Sequence, residues 1–118
     1  MNFMQKAKYS LGASETSQDI AITVDKSNAG WMGTVQYVFP SDVSGDVSLR
    51  MKPMGETFWV VLAAATLSSQ GNAIWTGNVV LRDGDILRLG SEVGTACDIY
   101  VTYVYEPWGE GSWQKFAV

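Results

Sequence analysis

The chain has 118 residues and a net charge of −4; it is 47% hydrophobic and only 17% charged, with five Trp, one Cys and no His. One domain with its own core is expected at this length, the eight scattered Lys and Arg leave no basic footprint for nucleic acid, and one Cys excludes an intrachain disulfide. The absence of His removes the commonest zinc ligand and general base, so hydrolysis through a His-activated Ser or Cys is excluded within the chain.

Residues 1–18 mix Lys6, Lys8, Ser10, Gly12 and Ser14 with Phe3, Tyr9 and Leu11 and keep no period. They read as an N-terminal arm, either with an edge strand over 6–11 or as a disordered tail. The start lacks an apolar stretch of signal-peptide length, and no run approaches the roughly 18 apolar residues of a membrane span. A product made and kept in a cytoplasm, unless it leaves inside a larger particle, is the expectation.

Residues 19–25 alternate Ile20, Ile22 and Val24 against Asp19, Thr23 and Asp25, as a half-buried strand does. A turn at 26–30 leads to a strand over 31–39, with Trp31, Val35, Tyr37 and Phe39 on one face, Gly33 marking a bulge, and Pro40 ending the ladder. After a loop at 41–45, residues 46–52 point Val47, Leu49 and Met51 inward and Asp46, Ser48, Arg50 and Lys52 to water. Residues 57–67 are apolar on both faces, with Phe58, Val60, Leu62 and Ala64 against Trp59, Val61, Ala63 and Ala65. The Val, Phe and Trp favour strand over helix here. Such a strand requires cover on both faces, from a second layer or another subunit.

A polar loop at 68–72 precedes a strand over 73–81. Asp83-Gly84 is a hairpin signal, residues 86–89 follow, and 97–106 alternates Cys97, Ile99, Val101, Tyr103 and Tyr105 against Asp98, Tyr100 and Thr102. Residues 81–106 therefore read as a closing hairpin, with Cys97 as a core residue. Seven or eight short strands without a helix predict an all-β fold, an antiparallel β-sandwich of jelly-roll type. Its body spans 19–106, between the arm 1–18 and a tail 107–118.

The acids Asp83, Asp85, Glu92, Asp98, Glu106 and Glu110 fall in turns or on outward positions, where solvated carboxylates are the norm, and Asp83-Gly84-Asp85 has too few ligands for a calcium loop. No enzyme, cofactor or metal site is expected. Trp31, Trp59 and Trp75 lie in apolar runs and read as core. Trp108 and Trp113 sit in a Gly-rich tail that either docks a partner or folds back over its own sheet. Low charge, a two-faced apolar strand and aromatic-bearing ends suit a subunit that associates by symmetry. The partner-binding candidates are Phe3, Tyr9, Trp59, Val61, Tyr100, Trp108, Trp113 and Phe116. The alternative is a carbohydrate- or receptor-binding module in which Tyr100, Trp108 and Trp113 stack on sugars.

The turn-strand GDILRLG followed by TACDIYVTYVYE, over residues 80–106, resembles the closing hairpin of small β-sandwich virion proteins of tailed bacteriophages. That resemblance implies a capsid decoration or cement subunit, often a homotrimer, that holds the major capsid protein lattice. It implies localisation in a virion made in bacterial cytoplasm, with no membrane partner and no catalytic residues.

Overall fold

The computed structural model describes residues 5–22 and 29–107. It is all-β, with six strands: β1 (Gln5–Leu11), β2 (Ser17–Ala21), β3 (Ala29–Lys52), β4 (Val60–Leu81), β5 (Ile86–Ser91) and β6 (Cys97–Pro107). Every pairing is antiparallel, and β3 is common to most of them. On one side β3 pairs with β4 from Ala29↔Leu81 to Met51↔Val60. On its other side the first part of β3 pairs with β6, from Ala29↔Pro107 to Val38↔Asp98, and the last part pairs with β5, from Val47↔Ser91 to Lys52↔Ile86. β1 adds outside β6, and β2 adds outside β5.

The chain thus builds two half-sheets, β4–β3–β6–β1 and β4–β3–β5–β2, that share their two longest strands. The β3 ladder is interrupted between Val38 and Val43 and again before Gly45. Pro40, which has no N–H to donate, falls in that gap. Gly45 adopts φ +141° and Ser69 of β4 φ +55°, conformations that favour a bend over an extended path. The half-sheets fold over onto one another there. Val35, Ile99 and Val101 from one half and Val47, Leu49, Leu87 and Leu89 from the other enter one core. Buried Tyr37 crosses between them and donates its hydroxyl to the Ser48 carbonyl at 2.8 Å. Counting the two segments of β3 and of β4 separately gives eight segments in two facing layers, the jelly-roll arrangement.

Several sequence expectations change. Six strands replace seven or eight, because Pro40 bends β3 without ending it, and the 41–45 and 68–72 stretches lie inside β3 and β4. Gly33 pairs regularly with Gly77 and Tyr103, so no bulge sits there. The Asp83-Gly84 turn forms, with Asp85 N–H donating to the Arg82 carbonyl at 3.1 Å and Gly84 at φ +92°. However, β4 and β5 do not pair. That turn carries the chain from one half-sheet to the other. Likewise 81–106 is not a hairpin, since β5 and β6 pair with different parts of β3. Turn residues report a reversal of direction, whereas the strand that becomes the partner is decided by where the apolar faces are buried. Within the expected arm, residues 5–11 are β1, running antiparallel to β6, with Leu11 in the core.

Asp85 joins the connections at one end. It is 5% exposed; one carboxylate oxygen accepts the Met54 N–H at 2.8 Å and the other the Arg82 N–H at 2.8 Å. Its backbone carbonyl accepts the Ile22 N–H at 2.9 Å. An acid that reads as a solvated turn residue is therefore a buried clasp between two loops.

Candidate functional site

The outer edge of β4 is the longest unpaired strand edge among the described residues. Among the described residues β4 pairs only with β3, which leaves a long row of backbone donors and acceptors facing outward. Natural edge strands are normally protected by shortness, Lys, Pro or a covering element. Residues 57–81, reading TFWVVLAAATLSSQGNAIWTGNVVL, contain no Asp, Glu, Lys, Arg or Pro. On β4 Val61 and Ile74 are 56% and 60% exposed, and Phe58, just before the strand, is 53% exposed. The two-faced apolar stretch expected over 57–67 is thus present from Val60 onward, with only partial cover from its own chain.

Small side chains also leave the core open on this side. Ala63, Ala65 and Ala73, with Trp75, border an apolar cleft of about 120 Å3 whose back wall is Val35, Tyr37, Val47 and Leu49. Trp75, expected as core, is half-buried at the mouth.

The outer faces of the two half-sheets differ. On the β5 side, Arg88 makes a two-pronged ion pair with Asp19 at 2.7 and 3.0 Å, and its guanidinium lies 3.8 Å from the Trp59 ring centroid. The Arg88 hydrogen bond and charge hold the Asp19 carboxyl below the usual aspartate range. The same hydrogen bond raises Arg88. Trp59, a partner candidate, is therefore half-buried beneath a cation, with Lys52 5.8 Å from the same ring. On the β6 side, Tyr100 is exposed, with Lys8 Nζ 5.9 Å from its ring. Asp98 there accepts from Ser10 at 2.9 Å and approaches Lys8 at 3.8 Å.

Of the other partner candidates, Val61 lies on the β4 edge and Tyr9 is half-buried against the core, its phenol pushed up by burial and then by Tyr103. Phe3, Trp108, Trp113 and Phe116 lie outside the described residues. The candidates therefore do not converge on one patch: Val61 lies on β4, the Trp59 ring packs on Arg88 of β5, and Tyr100 faces outward from the opposite half-sheet. Ile74 and the Ala63–Trp75 cleft were not singled out from sequence, although the charge-free run 57–81 was the signal that marks them. Cys97 is buried, and burial, then the Asp98 charge, pushes its thiol up, as befits a core residue. No group of three or more metal-binding side chains occurs among the described residues.

No protein-family model matches the chain, and a search of curated proteins finds no match. Solved structures share the fold at low identity. The Drosophila NLP core, described in connection with pentamer formation and histone binding, is 7% identical with a TM-score of 0.54, over 86% of this chain and 98% of that one. A Bacillus endospore appendage protein, from a family of disulfide-linked pili, is 13% identical with a TM-score of 0.51, over 91% and 89%. The Yersinia pseudotuberculosis-derived mitogen is 8% identical with a TM-score of 0.51, over 95% and 93%. At these identities the likeness is one of fold alone.

Proposed function

We propose that the chain is a non-enzymatic structural subunit that assembles with copies of itself through β4. The observation that carries this reading is the β4 edge, which is unpaired among the described residues, long, free of charge and proline, and bears exposed Val61 and Ile74 with exposed Phe58 just before it. A strand of this kind is an aggregation hazard in a monomer and an ordinary contact in an assembly. Among proteins of similar fold, one is described for pentamer formation and another forms pili. The setting we propose is the one expected from residues 80–106, decoration of a tailed-phage capsid, where many modest contacts repeated by symmetry give avidity.

Sedimentation velocity of the full chain over a dilution series tests the assembly, and co-sedimentation with capsids tests the setting. A discrete oligomer is expected in the first and binding in the second. A monomer at every concentration overturns the assembly, and capsids that pellet without the protein overturn the setting. Exposed Tyr100, on a face shared with Thr34, Gln36 and Thr76, favours a second reading, glycan binding. A saturable change in tryptophan fluorescence with polysaccharide, lost in Tyr100→Ala, would establish it.

A further inference from the structure

The outer face of the β4–β3–β5–β2 half-sheet has a charge pattern that is complementary to itself. Three of its rungs carry the pattern, and a fourth, of Ala21, Ile86 and Lys52, lies beyond the first of them. In the first, Asp19, Arg88 and Arg50 stand in line on β2, β5 and β3, and Val61 continues the line on β4. In the middle rung, Ser17, Gly90, Ser48 and Ala64 form a floor of small residues. Gly90 is buried, and a Cβ there would meet Ser48 Oγ at 2.8 Å. In the third, Asp46 and Thr66 lie opposite one another and Glu92 stands beside Asp46, its N–H donating to the Asp46 carbonyl at 2.8 Å. Two adjoining depressions, of about 210 and 140 Å3, share Ser48, Arg50 and Glu92.

The first and third rungs carry opposite charge. Arg50 sits directly across the ladder from Arg88, a pairing of like charges that destabilises an isolated sheet. Arg88 is already engaged with Asp19, whereas Arg50 has no carboxylate partner among the described residues. Arg50 lies four positions beyond Asp46, about 13 Å along the strand. A two-fold axis lying in the plane of the contact and running along the middle rung, across the strands, turns a second copy face to face with the first and places Arg50 of each copy over Asp46 and Glu92 of the other. The small floor residues allow that close approach.

We infer that this face is a second contact of the assembly and that its occupant is the same face of another copy, related by that two-fold axis. The inference rests on the self-assembly proposed above and adds where one copy meets the next. An isologous contact of this kind requires a surface complementary to itself, and a basic rung and an acidic rung flanking a neutral one satisfy that condition. Together with the β4 edge, which it adjoins at Val61, it gives the subunit two kinds of contact, as a closed oligomer with more than one symmetry axis requires.

The test is a charge exchange in the full chain, read by sedimentation equilibrium, with circular dichroism to confirm folding. Arg50→Glu should weaken the contact by about tenfold or more, because it sets acid against acid. Arg50→Glu combined with Glu92→Arg should return the dissociation constant to within about threefold of the parent, since both copies then carry the reversed pattern. Arg50→Gln, a milder change at an exposed position, should fall between them, and salt should weaken the parent contact more than that of Arg50→Gln. A contact insensitive to Arg50→Glu, or a double variant no tighter than the single one, overturns this inference and leaves assembly through β4 standing. A monomeric parent overturns both.

Discussion

Replacing Ile74 by Lys separates the contribution of the β4 edge to assembly from its contribution to the fold. Ile74 is 60% exposed and points away from the core, on the rung formed by Lys8, Tyr100 and Gln36. Burying a whole Ile side chain is worth about 1.5–3 kcal/mol, so the exposed part offers about 1–2 kcal/mol to a partner. In a symmetric contact the residue counts once per copy, giving about 2–4 kcal/mol, and a buried unpaired ammonium adds a desolvation cost. The dissociation constant should therefore rise about 30-fold or more. Subunit stability should change by less than about 0.5 kcal/mol, as is usual for an exposed position. Sedimentation over a dilution series measures the first quantity, and urea unfolding at a concentration low enough for both proteins to be monomeric measures the second. Lys8→Ala, on the same rung but at the far edge of the half-sheet, is the control and should leave association unchanged. A folded Ile74→Lys protein that associates within about threefold of the parent would refute the role given to this edge.

Three further outcomes follow from the interior and the ion pairs. Asp85→Ala removes the acceptor of two part-buried N–H groups, those of Met54 and Arg82, and should cost about 2–4 kcal/mol in urea unfolding. A loss below about 0.5 kcal/mol would show that the loops do not depend on it. Tyr37→Phe deletes the bond to Ser48 and should cost about 1–2 kcal/mol with the core otherwise intact. The lowered Asp19 carboxyl has the sign of a group that stabilises the fold above its unfolded value. That contribution is present above about pH 4 and is lost as pH falls through the folded value. Since the pair is half exposed, the effect should be small and weakened by salt. Acid titration of Arg88→Met should show a flatter dependence in that window, and an unchanged slope would remove the pair from the account.

Strand character was plain in the amino-acid sequence wherever one face is buried and the other wet. Val47 and Leu49 against Ser48 and Arg50, and Ile99 and Val101 against Asp98 and Tyr100, alternate as they do in the fold. Connectivity was not plain. Asp83-Gly84 marks a reversal, but no local feature says that the reversed chain enters the opposite half-sheet, because that depends on which surfaces of β3 remain to be covered. Pro40 and the polar residues 68–72 look like breaks for the same reason. A bent strand can host both where its ladder is interrupted, and only the neighbouring layer shows the interruption. The β4 edge was half legible: its apolar character on both faces is in the sequence, but its position at the margin of the sheet is a property of topology.

The double membership of β3 has a consequence for how the molecule comes apart. Its ladder partners are β4, β5 and β6, and β1 and β2 hang from two of these. Peeling one layer away therefore strips hydrogen bonds from a strand that the other layer also needs, so loss of structure should be a single concerted event. Assembly of the chain has the mirror-image constraint. Residue 11 must find residue 97, and residue 17 must find residue 90, so productive encounters are distant in sequence and folding should take milliseconds to seconds. Until β3 is in place, the uncharged stretch 57–81 lacks the only strand that pairs with it among the described residues. In the nascent chain it is the segment most in need of protection.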